Sequence, residues 1–498
     1  MNTMTVETST WVHERIRHDE IEKYCPAGGD FIPDGEIERF LAGTARPDTA
    51  RVRDILAKSF AVETLLPEET AALIAVDDPV LLAEMEEAAG ALKKKVYDNR
   101  IVTFAPLYMA NYCVNNCLYC AFRRDNHAVK RRMLTMEEVK KETEILAGVI
   151  GHKRLVVVYG ESPRTDAEYI AETMRAIYAV SVPTRKGIGR IRRVNVNAAP
   201  LPVASLKLLS EAGIGTYQVF QETYHKATYA KVHPAGTVKS DYRWRLTCMH
   251  RSMEAGIDDV GIGVLFGLAD WRFEVMGLLY HARELEARFG IGPHTISFPR
   301  LEPAVNTPFA EMSPGRVSDA DFRRLVTIIR LSVPYAGMIL TARENAAMRR
   351  EILPLGCTQT DASTRIGIGA YSDGEGSQEG ERQQFMLGDT RSLDEVVREL
   401  AGMGSITSFC TAGYRCARTG KCIMDLLRSG KEGKFCKLNA VLTFREWLDD
   451  FASDRTKEAG EKVIAREIEE IRRQMPAVFS SFQQYYERIA GGERDLYF

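Results

Sequence analysis

Short β-branched runs alternating with amphipathic helical stretches predict an α/β fold: a parallel (β/α)8 barrel of the TIM type, with a helical N-terminal segment and a mostly helical C-terminal domain. Three observations carry this prediction. Eight such runs recur between residues 101 and 360, each followed by a segment of helical periodicity. Their span of about 260 residues is typical of such a barrel, whereas a doubly wound open sheet rarely needs eight alternations. Before and after that span the period-two signal disappears.

Residues 1–98 read as the helical segment. Leu81, Leu82, Met85, Ala88, Ala89 and Leu92 recur at helical spacing with acids between them. The barrel, residues 99–375, follows with runs at Ile101–Ala105, Leu155–Tyr159, Arg193–Asn197, Thr216–Gln221, Asp259–Leu265, His294–Pro299, Met338–Thr341 and Cys357–Thr360. Between them, Thr135–Leu146 opens with Thr135 and places Glu138 three residues on, the reciprocal pairing that caps a helix. Asp321–Leu331 is similarly amphipathic. Gly367–Gly380, rich in Gly, Ser and Asp, reads as a loop, because no strand and Lys-bearing helix frame it as a phosphate cradle. Residues 376–498 form the third, cysteine-bearing domain. Its charged helix, Thr456–Arg473, pairs Glu with Arg or Lys across one turn on a solvated face.

Composition narrows the function. Apolar residues make up 45% and charged residues 27%, as in ordinary globular proteins. The 66 basic and 68 acidic side chains leave a formal charge of -2, without the cationic excess of a nucleic-acid binder. No run of about 18 apolar residues offers a membrane span. Met1–Glu20 is too polar for a secretory signal, so a cytoplasmic protein is expected.

In that compartment thiols stay reduced, and clustered cysteines point to metal or catalysis. Of the ten, Cys25, Cys248 and Cys357 are isolated and read as small hydrophobes. The others form two groups: Cys113, Cys117 and Cys120, and then Cys410, Cys416, Cys422 and Cys436. The first lies in N-Y-C-V-N-N-C-L-Y-C-A-F-R, directly after the first strand and so at the barrel's C-terminal mouth. Such a loop can wrap three corners of an iron–sulfur cubane and leave the fourth iron open. Structural zinc is an alternative, although it wants four ligands and only His127 stands nearby; incidental thiols are another.

The spacing, with Tyr119 just before the third cysteine, resembles the radical S-adenosylmethionine (SAM) superfamily. That resemblance implies a 4Fe-4S cluster whose open iron binds S-adenosyl-L-methionine, an electron donor, and a 5′-deoxyadenosyl radical. Gly160-Glu161-Ser162-Pro163 resembles the element that holds the SAM ammonium. Asn197 and Gln221-Glu222-Thr223-Tyr224 place further polar tips at the same mouth, for the ribose and carboxylate of SAM.

The likeness extends from about residue 60 to 452. Ala105-Pro-Leu-Tyr108, Gly151-His-Lys-Arg154, Arg193-Val-Asn-Val-Asn197 and Gly215-Thr-Tyr-Gln-Val-Phe-Gln-Glu-Thr-Tyr-His225 are similar to motifs of the tyrosine lyases. So are Gly256–Gly267, Gly292–Ser297 and Pro334–Met338. Within that group the branch of iron–iron hydrogenase maturases is nearest, and the 2-iminoacetate synthases of thiamine biosynthesis come next. The resemblance implies cleavage of L-tyrosine at Cα–Cβ to p-cresol and dehydroglycine (2-iminoacetate). In the maturase branch it implies onward formation of carbon monoxide and cyanide on a second cluster, for hydrogenase maturation proteins. A bidentate arginine suits the tyrosine carboxylate. Arg365, in Ser363-Thr364-Arg365, resembles the substrate-loop residue, Arg343 rivals it, and Tyr108 matches a substrate-contacting tyrosine.

The tail departs from the pattern. The maturases carry three auxiliary thiolates, and Cys410 and Cys436 occupy the first and third positions while Gly413 occupies the second. Either Cys416 supplies the missing ligand, or the second cluster is altered or absent, or four cysteines hold zinc. The resemblance also gives His294, at the far end of the barrel, an extra iron, with Asn439 and Glu446 as further signs of iron chemistry and the barrel interior as the path for dehydroglycine. A non-catalytic iron–sulfur scaffold stands as the non-enzymatic alternative.

Overall fold

The computed structural model describes residues 10–373, 380–416, 420–428 and 432–498, so part of the Gly-rich loop lies outside the described residues. Eight strands form the barrel: β1 (Arg100–Ala110), β2 (Arg154–Tyr159), β3 (Arg193–Asn197), β4 (Tyr217–Gln218), β5 (Val260–Gly263), β6 (Thr295–Ser297), β7 (Gly337–Leu340) and β8 (Gln359–Asp361). Each pairs in parallel with the next, and Val102–Phe104 of β1 pairs with Gln359–Asp361 of β8 to close the ring. These are the eight expected strands in their expected order. β4 is shorter than expected, but its register with β5 continues beyond it: the amides of Val219 and Gln221 donate to the carbonyls of Gly261 and Gly263, and Glu222, at a left-handed φ of 71°, bridges Val264.

Period two sorts the strand side chains. Phe104, Pro106 and Tyr108 of β1 and Val156 and Val158 of β2 face the interior. There Phe104, Val156 and Ile339 form a small apolar cluster of their own. The alternate residues, Leu155 and Val157 among them, are buried under the outer helices.

Before the barrel the chain is helical as expected, with Asp34–Gly43, Thr49–Phe60, Pro67–Ile74 and α1 (Pro79–Tyr97) among its helices. Asp78 caps α1 by accepting from the amides of Val80 and Leu81, and Leu81, Met85, Ala89, Leu92 and Val96 form its buried face. α2 (Met136–Glu144) begins at the expected capping box of Thr135 and Glu138. A two-strand hairpin, Val182–Pro183 with Ile188–Gly189, has no counterpart in the expected elements.

The tail is mostly helical, with one exception. Residues Ile406–Ser408 form β9, which pairs in parallel with Arg100–Val102, below the point where β2 takes the same edge of β1. A three-residue Ile-Thr-Ser run carries no periodicity that sequence reading could detect. The charged helix expected in the tail is Asp454–Gln474. Among the described residues no helix is long and apolar enough to cross a membrane.

α3 (Trp271–Phe289) packs beneath the mouth, and Gly277 permits its close approach: a Cβ there would lie 2.5 Å from the Tyr224 side chain. In an open helix Gly→Ala stabilises by about 1 kcal/mol. Here overpacking reverses the sign, and Gly277→Ala is expected to destabilise by about 1–3 kcal/mol, read as a lower denaturation midpoint.

Candidate active site at the C-terminal mouth of the barrel

A cavity of about 220 Å³ opens among the C-terminal strand ends. Cys113, Cys117 and Cys120 all line it, carried by the loop after β1. That loop is tied down by the amide of Val114 donating to the Glu161 carbonyl (2.8 Å) and that of Leu118 donating to the Val232 carbonyl (3.1 Å). The Asn115 amide group donates to Glu161 Oε2 (2.6 Å) and approaches Cys113 Sγ (3.8 Å), while Gln384 Nε2 lies 3.5 Å from Cys120 Sγ. Burial raises all three thiols, Cys117 to about 11, so a cationic metal centre is what would hold them as thiolates. Among the described residues no three His, Cys, Asp or Glu side chains converge on a point for one ion. A cubane makes no such demand, because each thiolate takes a different iron.

β2 ends in Gly160-Glu161. A Cβ at Gly160 would lie 2.3 Å from the Tyr112 carbonyl, so only glycine lets the cysteine loop and the β2 tip meet. Glu161 lines the cavity with one carboxylate oxygen held by Asn115, while Oε1 is buried without a partner. A buried, unsatisfied acceptor beside the thiols is a built site for a cationic group.

Glu222 accepts from Lys239 Nζ (2.7 Å) and Arg245 Nη2 (3.1 Å). Burial opposes its ionisation, but the two cations outweigh burial and hold its pKa below the ordinary value. The left-handed turn of Glu222 is braced from below by Glu274 of α3, which accepts from the Thr223 hydroxyl and the Tyr224 amide. Tyr119 lines the cavity, and its hydroxyl meets His233 Nε2 at 2.8 Å.

The remaining expected residues separate. Asn197, Tyr108 and Arg343 line the cavity. The Tyr108 hydroxyl donates to Gln384 Oε1 (2.9 Å), and the Arg343 guanidinium stacks 3.4 Å from the centre of the Phe385 ring. Among the described residues Arg343 has no ion-pair partner. Arg365 does not line the cavity: it donates to the Ala370 carbonyl (2.9 Å), and its neighbour Thr364 faces inward instead. Gln221 also faces away, its amide 3.5 Å from the Tyr242 carbonyl. Strand parity is the reason, since Gln218, Phe220 and Glu222 share the inward face.

Asn115, Lys239, Arg245 and Gln384 escaped sequence reading. Lys239 and Arg245 stand 17 and 23 residues beyond Glu222, and Gln384 stands 264 beyond Cys120, in no recognisable spacing. At the opposite end, His294 immediately precedes β6 with Nδ1 buried and unpartnered, and Cys410 follows β9 with its carbonyl accepting from Arg154 (3.3 Å).

Residues 107–276 match the Radical SAM superfamily, and residues 297–406 the Biotin and Thiamin Synthesis associated domain. A crystal structure of HydG, a maturase of the FeFe-hydrogenase, matches with a TM-score of 0.89 and 46% identity, covering 94% of this chain and 100% of that one. The chain belongs to the HydG family of radical SAM enzymes. The FeFe-hydrogenase maturase HydG from Carboxydothermus hydrogenoformans matches with a TM-score of 0.72 and 35% identity, covering 98% of this chain and 100% of that one. The 2-iminoacetate synthase of Escherichia coli (strain K12) is 29% identical over 328 residues, 65% of this chain and 81% of that protein.

Radical SAM membership brings a 4Fe-4S cluster and S-adenosyl-L-methionine, and the cavity fits them: three thiols for iron, an orphaned Glu161 oxygen for an ammonium, and close backbone approach at Gly160.

Burial raises the Glu274 carboxyl from 4.5 to about 8, against the hydrogen bonds from Thr223 and Tyr224. Folding therefore takes up a proton between those values. The associated stability is complete below about pH 4.5 and is lost as pH rises through about 8. Glu274→Gln, neutral throughout, is expected to gain stability relative to wild type across that window, as measured by denaturant titration at pH values on both sides of it.

Proposed function

We propose that the chain is a radical SAM carbon–carbon lyase that cleaves L-tyrosine at Cα–Cβ to p-cresol and dehydroglycine. The observation that carries this reading is the Arg343 guanidinium, without an ion-pair partner among the described residues and lining the same cavity as the three thiols. A guanidinium so placed asks for a carboxylate. The similarity to HydG and to a 2-iminoacetate synthase supports an amino-acid substrate.

Cys113, Cys117 and Cys120 are assigned to the cluster, and Glu161 to the SAM ammonium, with Asn197 and Glu222 near its remaining polar groups. When bound, the cluster and SAM supply one-electron cleavage and a hydrogen-abstracting radical. The protein's part is positioning. Lys239 and Arg245 keep Glu222 ionised and in place. Phe385 holds the Arg343 guanidinium over its ring, leaving two of its N–H groups to address one carboxylate. Tyr108 and Phe122, edge to face at 6.1 Å, make an aromatic wall for a phenol ring. Because 5′-deoxyadenosine keeps the abstracted hydrogen, the C7H7O fragment left by Cα–Cβ cleavage must gain one electron and one proton to become p-cresol, and the reductant that serves the cluster supplies that electron as well.

In anaerobically reconstituted protein given SAM, L-tyrosine and dithionite, p-cresol and 5′-deoxyadenosine are expected together; 5′-deoxyadenosine without p-cresol would remove tyrosine as the substrate. Arg343→Met should raise KM for tyrosine roughly 10- to 100-fold, the equivalent of about 1.5–3 kcal/mol for hydrogen bonds to a charged group. Arg365→Met should stay close to wild type in KM.

A further inference from the structure

We propose that this chain assembles no second iron–sulfur cluster in its tail, because position 413 lacks a thiol and the surrounding donors are already engaged. The family implies a three-thiolate site formed by Cys410, Cys436 and the residue at 413, and the residues present do not fit it.

Gly413 has no side chain to ligate. Cys416, the nearest substitute, is exposed, and its Sγ sits 3.6 Å from the Phe498 carbonyl. Its amide donates to the carbonyls of Ala412 (3.1 Å) and Gly413 (3.2 Å), closing the short helix Ala412–Arg415, so moving this thiol inward means unwinding that turn. Cys422, on the next helix, is also exposed. Cys410 and Cys436 both lie near the Tyr97 hydroxyl: burial chiefly disfavours its ionisation, and both thiols add to that effect.

The oxygen donors of the tail are equally committed. Asn439 holds Phe498 through both amide atoms, donating to its carbonyl (3.1 Å) and accepting from its amide (2.8 Å). Glu446 is buried and accepts from Arg192 (2.7 Å) and from the Asp495 amide (2.6 Å), with Lys153 at 3.2 Å. Arg415 and Arg192 grip Asp495, and Arg494 grips Asp450. Residues 494–498 thus contact Cys416, Asn439 and Glu446, the groups that could otherwise serve as substitute donors. His294 Nδ1 remains unpartnered, but with Cys410 and Cys436 it makes one imidazole and two thiols, not the three thiolates that the family's site implies.

The consequence concerns the product and rests on the tyrosine-cleavage reading. Without iron at the far end of the barrel, 2-iminoacetate leaves intact. In water it adds H2O across C=N and yields glyoxylate and ammonia, so a reaction consuming it must trap a free two-carbon imine.

The test counts iron and acid-labile sulfide in the anaerobically reconstituted full chain. About four of each per chain are expected in wild type. The count should persist in Cys410→Ala/Cys436→Ala and vanish in Cys113→Ala/Cys117→Ala/Cys120→Ala. Gly413→Cys should raise the count to about eight. A wild-type count near eight that halves in the tail double variant overturns the proposal, and a Gly413→Cys count still near four overturns the assignment to position 413. Product analysis is separate. Glyoxylate with p-cresol and without carbon monoxide or cyanide supports the consequence; carbon monoxide or cyanide overturns it; and loss of p-cresol alone defeats the substrate reading while leaving the iron count standing.

Discussion

The molecule is organised by β1. Its backbone hydrogen-bonds β8 on one edge and, on the other, β9 over the first residues and β2 over the last. Eleven residues of extended chain reach about 36 Å, the full depth of the barrel. One cysteine loop grows from the top of this strand, and the strand leading to Cys410 is zipped to its foot. The separation of the two cysteine groups is therefore a hydrogen-bond register, enforced by the closure of the sheet.

The two ends are built on opposite electrostatic plans. At the mouth, Glu161 keeps one carboxylate oxygen unsatisfied, and Arg343 keeps its charge without a partner among the described residues. A buried polar atom left open like the Glu161 oxygen is costly to folding unless a ligand completes it. At the foot, Lys153, Arg192, Glu446 and Asp495 pair with one another, and Asn439 is capped by Phe498. The same kinds of side chain thus make a receptive site at one end and a closed seam at the other. What differs is whether the protein's own backbone and charges reach them first.

The receptive end carries backbone strain. Glu222 holds a left-handed conformation that a β-strand residue avoids, and the buried Glu274 carboxyl braces it through the next two residues. Gly160 and Gly277 allow contacts that any larger residue would forbid.

How much of this was legible beforehand depended on range. The eight strands were readable because β-branched runs and helical periodicity are local, and the three-cysteine loop because its ligands fit within eight residues. Neither Lys239, Arg245 nor Gln384 could be found that way, since their roles arise from contacts 17 to 264 residues apart. Gln221 and Arg365 show the converse: each belongs to a suggestive motif, yet strand parity turns the first outward and the Ala370 carbonyl claims the second. In the tail, sequence alone established that position 413 has no thiol. Only tertiary packing decided what becomes of Cys416, Asn439 and Glu446, because residues 494–498 must fold back across them before their lone pairs are taken.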